Sequence, residues 1–139
     1  MFSRLVFVLA ITGLLVLAVA CGTRGGGATR EISSGKIGSL TVTLASADGV
    51  LRHGDQELTL TFKDAAGKPV EVGAAALSFH MPAMGAMAAM HDTAALTTTD
   101  APGVYHGKVK LQMAGEWQAQ ISYEGPAGQG QGSFPVTAQ

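Results

Sequence analysis

The sequence contains a single cysteine, Cys21, among 139 residues. A disulfide within the chain is therefore excluded, and a soft metal ion bound elsewhere would need methionine or histidine as its ligand. Charged residues make up only 14% of the chain and aromatic residues 6%. The basic residues are scattered, with no patch and no aromatic platform beside them, so we expect no nucleic-acid partner.

The sequence also lacks the common signatures of catalysis. It has no Ser/His/Asp arrangement, no paired carboxylates in a recognisable setting, no glycine loop suited to phosphate and no HExxH motif. Its glycines fall in turn-like segments and near the N-terminus. We therefore expect a binding or interaction protein rather than an enzyme.

One long apolar run is present, at residues 5–20, and it follows the positively charged Arg4. A bilayer span needs about 20 apolar residues, but small residues at the end of the run, just before Cys21, favour cleavage. The pattern resembles the bacterial lipoprotein box, with Ala18 where that box usually has leucine. It predicts a signal peptide over residues 1–20 and lipidation of Cys21. The alternative is an ordinary signal peptide with an incidental cysteine.

Residues 21–35 are predicted to be a lipidated, flexible tether, because residues 22–28 are rich in glycine. Lipid on Cys21 would hold the protein at the cell membrane or the outer membrane, facing the periplasm or the exterior. An envelope or membrane protein would then be within reach as a partner. Without residues 1–20, eight Lys plus Arg and ten Asp plus Glu remain, a formal net charge of −2.

Residues 36–139 show no helical periodicity of 10 to 15 residues and are expected to form one domain. Apolar and polar residues alternate in short runs, as in Leu40, Val42 and Leu44, which is typical of half-buried strands. Turn signals rich in glycine and proline separate these runs. The runs lie at residues 40–44, 58–62, 77–81, 94–98, 105–111, 117–123 and 134–136. They predict an all-β, immunoglobulin-like antiparallel β-sandwich of about seven strands, with Trp117 in its core.

Methionine is concentrated in one segment. Four methionines recur every three residues between His80 and His91, namely Met81, Met84, Met87 and Met90. Thioether sulfur is a soft, neutral donor that suits Cu(I), and imidazole is a borderline donor that suits copper or zinc. Unlike a thiol, a thioether cannot be lost to disulfide formation in an oxidising compartment.

The local sequence suggests how these donors could meet. Met81 precedes Pro82 and should be extended, whereas the Ala/Met run beyond it favours a helical turn. Such a turn would place Met84, Met87 and His91 on one face. We therefore predict a two- or three-coordinate Cu(I) site there. The remaining candidate ligands are Met90, Met81, His80 and Met113.

Packing is the alternative interpretation of these methionines, because methionine is a flexible residue that fills gaps beside aromatic rings. Met81, Met84 and Met113 would then close the open end of the sandwich near Trp117 or Tyr105. An exposed methionine-rich segment is also an adaptable surface for protein partners. Two functions stay open: Cu(I) binding for metal handling or delivery, and a metal-free module whose methionine-rich loop docks an envelope or membrane protein.

Three ordered motifs resemble the YtkA-like family: Met81-Pro82-Ala83-Met84-Gly85, Pro102-Gly103-Val104-Tyr105 and Met113-Ala114-Gly115-Glu116-Trp117. The resemblance extends over roughly residues 40–123. It implies a small exported or membrane-anchored β-sandwich domain. Some members of this family are joined to heavy-metal efflux or copper-handling modules, and the related FixH proteins are implicated in cytochrome oxidase assembly.

Overall fold

The computed structural model describes residues 28–139, so the predicted signal peptide, Cys21 and the first part of the predicted tether lie outside the described residues. Nine strands form in the described part of the chain. They are β1 (Arg30–Ile37), β2 (Leu40–Ser46), β3 (Gly54–Lys63), β4 (Ala74–Met81), β5 (Met90–Thr93), β6 (Ala95–Thr98), β7 (Val104–Leu111), β8 (Gly115–Gly125) and β9 (Gly128–Ala138).

The strands form two antiparallel sheets that pack face to face. One sheet has the order β1-β2-β3-β7-β6 and the other the order β5-β4-β8-β9. The predicted all-β antiparallel sandwich is confirmed, with nine strands where about seven were expected. The two strands that the sequence pattern did not reveal are β1 and β5.

Strand β1 begins at Arg30, so residues 30–35 are strand where the sequence analysis predicted tether. Its backbone pairs with β2 from Arg30 opposite Ser46 to Ile37 opposite Leu40. Because β1 is an edge strand with most of its residues exposed or half-buried, it carries little of the apolar alternation that marks a strand in a sequence.

The core lies between the sheets and is built from the inward residues of the alternating runs. Leu44, Leu60 and Phe62 are fully buried from one sheet, and Phe79 and Ala119 from the other. Full burial of a Leu or Phe side chain contributes about 1.5–3 kcal/mol relative to its exposure. The alternation in the sequence therefore decides which face of each sheet turns inward.

One end of the sandwich, called the aromatic end here, contains Phe62, Tyr105 and Tyr123. The ring of Phe62 makes edge-to-face contacts with Tyr105 at 5.7 Å and with Tyr123 at 5.6 Å. The Tyr105 hydroxyl donates hydrogen bonds to the Gly73 carbonyl oxygen at 2.6 Å and to Oε1 of Glu71 at 3.1 Å. Burial, together with the Glu71 carboxylate, raises the pKa of Tyr105 to about 12.

The opposite end, called the methionine end, contains the buried residues Met81 and Trp117, with Met90 and Met113 packed against the core. The backbone of β5 and β6 determines which residues lie at this end. Only Ala94 separates these two strands, which belong to different sheets. The buried Ala94 donates its N–H to the Leu77 carbonyl oxygen at 2.9 Å. This crossing holds β5 beside β4 and so places residues 82–89 at the methionine end.

Candidate metal-binding hairpin

Residues 82–89, called the methionine hairpin, connect β4 to β5, and all of them are exposed. The Met84 N–H donates to the Met87 carbonyl oxygen at 3.1 Å, and the Met87 N–H donates to that of Met84 at 2.9 Å. Gly85 lies between them with φ of 55°, which glycine adopts without a steric cost.

The helical turn predicted beyond Pro82 is therefore wrong. The in-register pairing of Met81 with Met90 brings the two ends of the segment together. The backbone groups of Met84 and Met87 then bond across the hairpin instead of along a helix, and a two-residue turn joins them. The spacing of the methionines by three residues therefore does not reflect a helix in this segment, and Met84, Met87 and His91 do not share a helix face.

Met84 and Met87 form the tip pair of the hairpin. They are directly opposite each other in a pair that exchanges both hydrogen bonds, so their side chains stand on the same face. Their Cβ atoms are then separated by about 5.5 Å, within the span that two flexible thioethers can close. Met84 is 58% exposed and Met87 is 44% exposed. In residues 28–139 these are the only large apolar side chains that are exposed.

Met81, Met90 and Met113 behave differently, because they pack. Met81 is 2% exposed, and Met90 and Met113 are half-buried against the core. The Met81 methyl carbon lies over Gly115, where an added Cβ would approach it to 3.0 Å. The Met113 carbonyl oxygen accepts a hydrogen bond from Trp117 Nε1 at 3.1 Å. The packing interpretation therefore agrees with the structure for Met81 and Met113, and Met90 packs in the same way. It is wrong for Met84, which is 58% exposed.

His80 and His91 form a third group. They are opposite each other in the β4–β5 ladder, one residue before Met81 and one after Met90, and they therefore stand on the outer face of the sheet. Their ring centroids are 6.4 Å apart. The structure thus divides the predicted ligands into a tip pair, a packed group and an outer pair. Within residues 28–139, no group of three His, Cys, Asp or Glu residues is arranged to hold a metal ion. Methionine is not among these residue types, so this absence does not extend to it.

One contact at the base of the hairpin was not anticipated from the sequence. Oδ2 of Asp92, on β5, accepts the Gln112 backbone N–H at 3.1 Å, and its Oδ1 accepts Gln112 Nε2 at 2.9 Å. The contact ties the edge strand β5 to the segment after β7. Because the two residues are 20 positions apart, no local pattern could have indicated it.

The three motifs noted in the sequence separate in space. Met81, Gly115 and Trp117 meet at the methionine end, whereas Gly103 and Tyr105 lie at the aromatic end, where a Cβ on Gly103 would overlap the Val70 carbonyl oxygen. A family model described as YtkA-like matches residues 35–122. The chain belongs to the YtkA-like family. Met81, Tyr105 and Trp117 are thus buried motif residues of this YtkA-like domain, whereas Met84 is the large apolar motif residue that is exposed.

The YtkA-like domain matches no curated protein and no solved structure. Within residues 28–139, no helix is long and apolar enough to cross a membrane. The tip pair is the feature of the YtkA-like domain that packing does not explain, because both of its side chains are exposed.

Proposed function

We propose that this protein is an exported, lipid-anchored YtkA-like domain that binds Cu(I) through the thioethers of Met84 and Met87 for metal handling or delivery. The single observation that carries the proposal is the exposure of these two side chains, which are paired across a hairpin and away from the core. Large apolar side chains in a small domain normally contribute by burial, and these two do not.

The choice of methionine supports a metal ion as the occupant. A thioether donates softly to Cu(I) without a charge and without the need to lose a proton. The tip pair lies in a tight turn, and Asp92 and Gln112 fix the edge strand at its base. The sandwich would therefore present two soft donors in a defined arrangement rather than on a disordered segment.

The anchor is proposed from the sequence around Cys21. An apolar run ending in small residues before the only cysteine supports lipidation at that residue. Cys21→Ser is expected to prevent lipid attachment, and mass spectrometry of the purified chain should then lack the mass of a diacylglyceryl group. An unmodified Cys21 in the wild-type chain would contradict this part of the proposal.

The Cu(I) proposal is tested by anaerobic competition with a chromogenic Cu(I) chelator. The full chain is used in detergent, with Cys21→Ser in every sample, because a free thiolate would itself bind copper. The double variant Met84→Leu/Met87→Leu keeps bulk and apolarity but removes both sulfurs. Met113→Leu is the matched control, since that methionine packs against the core.

We expect the parent chain and Met113→Leu to withdraw copper at micromolar competition, and the double variant to bind at least about tenfold more weakly, a loss of ~1.4 kcal/mol. A parent chain that withdraws no copper would sink the proposal. In that case the second function gains support: docking of an envelope or membrane protein on the exposed tip pair without a metal ion. An equal loss of Cu(I) affinity in Met113→Leu would mean that the packed methionines, and not the tip pair, bind the ion.

A further inference from the structure

The outer face of the four-stranded sheet carries two histidines on one rung at the base of the methionine hairpin. His80 on β4 is opposite His91 on β5, and on its other side it is opposite Gln118 on β8. Residues opposite one another in a ladder share a face and have Cβ atoms about 4.5–5.5 Å apart. Since Met81 is buried in the core, its neighbour His80 stands on the other side of the sheet.

The two rings are already near the separation that a shared metal ion requires. Their centroids are 6.4 Å apart and their planes are inclined by 52°. With metal–nitrogen bonds of about 2.0–2.1 Å, two imidazoles on one ion have centroids roughly 5–6 Å apart. His91 is exposed and His80 half-buried, so side-chain rotation on a ps–ns timescale can close the difference.

Both rings are also free of other partners. Among the contacts of residues 28–139, neither His80 nor His91 makes a side-chain hydrogen bond or an ion pair. The two other histidines differ in this respect. Nδ1 of His53 lies 3.1 Å from the Gln139 carbonyl oxygen, and Nε2 of His106 lies 3.9 Å from Oε2 of Glu57. The pair at the base of the hairpin therefore has its nitrogen donors available.

We propose that His80 and His91 form a second metal site, separate from the tip pair, that binds a borderline divalent ion, Cu(II) in preference to Zn²⁺. Imidazole nitrogen suits both ions, and affinities for nitrogen ligands rise to Cu(II) and fall again at Zn²⁺. The side-chain amide of Gln118 stands on the same rung as a neutral oxygen donor. The site does not depend on the proposed Cu(I) function, because it uses no thioether.

The consequence is a hairpin with two donor sets of different softness. Two thioethers at the tip favour Cu(I), and two imidazoles at the base favour Cu(II). A YtkA-like domain with both sets can hold copper in either oxidation state. No electron transfer is needed for this, because each set binds the ion as it arrives.

Cu(II) binding by the full Cys21→Ser chain in detergent tests this proposal. Affinity is measured by competition with glycine, and nitrogen ligation by electron paramagnetic resonance. His80→Thr and His91→Thr each remove one imidazole and keep a residue that favours strands. His106→Asn is the matched control on β7, and Met84→Leu/Met87→Leu separates the two sites. Near-ultraviolet circular dichroism of Trp117 reports whether each variant is folded.

Loss of a partner that only orients a ligand costs about 10–100-fold in metal affinity, so loss of either histidine should weaken Cu(II) binding at least about tenfold. His106→Asn and the double methionine variant should bind Cu(II) as the parent does, and Zn²⁺ should compete with Cu(II). An affinity within about twofold of the parent in folded His80→Thr or His91→Thr would overturn the proposal. So would a joint loss of Cu(I) and Cu(II) binding in the methionine variant, which would indicate one composite site.

Discussion

At the aromatic end of the sandwich the buried ring of Phe62 contacts the buried rings of Tyr105 and Tyr123, whereas Met84 and Met87 are exposed beyond the methionine end. At the aromatic end each ring contributes by filling space, and the Tyr105 hydroxyl has two acceptors. At the tip pair neither burial nor a hydrogen bond accounts for the residue type. The contrast indicates that the aromatic end stabilises the fold and that the tip pair serves another purpose.

The same contrast exists among the methionines themselves. Met81 is 2% exposed and Met84 is 58% exposed, although they are only three residues apart. Met81 belongs to a ladder that faces the core, and its methyl group fills the space above Gly115. Met84 lies beyond Pro82, where the β4–β5 ladder has ended. The position of each methionine relative to the β4–β5 ladder, and not its residue type, therefore decides whether its side chain is buried or exposed.

The largest effect is expected from Phe62→Ala at the aromatic end. Phe62 is fully buried and contacts two aromatic rings, so its truncation should lower the free energy of unfolding by about 3–5 kcal/mol. Urea denaturation followed by the fluorescence of Trp117 measures it. Met84→Ala is the matched control and should change stability by less than about 0.5 kcal/mol. Similar losses in the two variants would break the comparison between the two regions.

A smaller effect is expected from Tyr105→Phe, which keeps the ring and removes only the hydroxyl. The Gly73 carbonyl oxygen and the Glu71 carboxylate each lose a donor, at 2.6 Å and 3.1 Å respectively. We expect the free energy of unfolding to fall by about 1–2 kcal/mol, because the Gly73 carbonyl is left without its partner. An unchanged urea midpoint would mean that water replaces the hydroxyl at no cost.

The same substitution has a signature in pH. Burial raises the pKa of Tyr105 to about 12 from its ordinary value of 10.0, so folding favours the protonated hydroxyl. The resulting stability is complete below pH 10 and is lost as the pH rises from 10 through about 12. Tyr105→Phe should remove this alkaline loss from a plot of stability against pH. A persistent loss of equal size in the variant would assign it to another group.

The parts of the fold that the sequence predicted are those where burial imposes a local pattern. Leu40, Val42 and Leu44 alternate with polar residues because one face of β2 is in the core, and the family motifs agree with that fold. Strand β1 escaped prediction because an exposed edge strand needs no such alternation. Its strand state depends on backbone hydrogen bonds to the next strand, β2, and these leave no trace in its own composition.

The candidate site shows the same limit. The sequence indicated the donor types at Met84, Met87, His80 and His91, because residue chemistry is local. It did not indicate their grouping, since that follows from the register that pairs Met81 with Met90. Ala and Met are compatible with both a helix and a hairpin. Residues 82–89 form a hairpin because β5 pairs with β4, and not because of the intrinsic propensities of these residues.

The smallest effect on stability is expected where the largest effect on copper binding is proposed. Met84→Leu/Met87→Leu exchanges two exposed side chains for others of similar volume, so the free energy of unfolding should stay within about 0.5 kcal/mol of the parent. Met81→Leu, at a buried position, should cost more, up to about 1.5 kcal/mol, because the shape of the side chain matters only where it is enclosed. Urea denaturation of the metal-free proteins compares them. If the double variant were the less stable of the two, the tip pair would be part of the packed structure, and its sulfur would need no ligand to explain it.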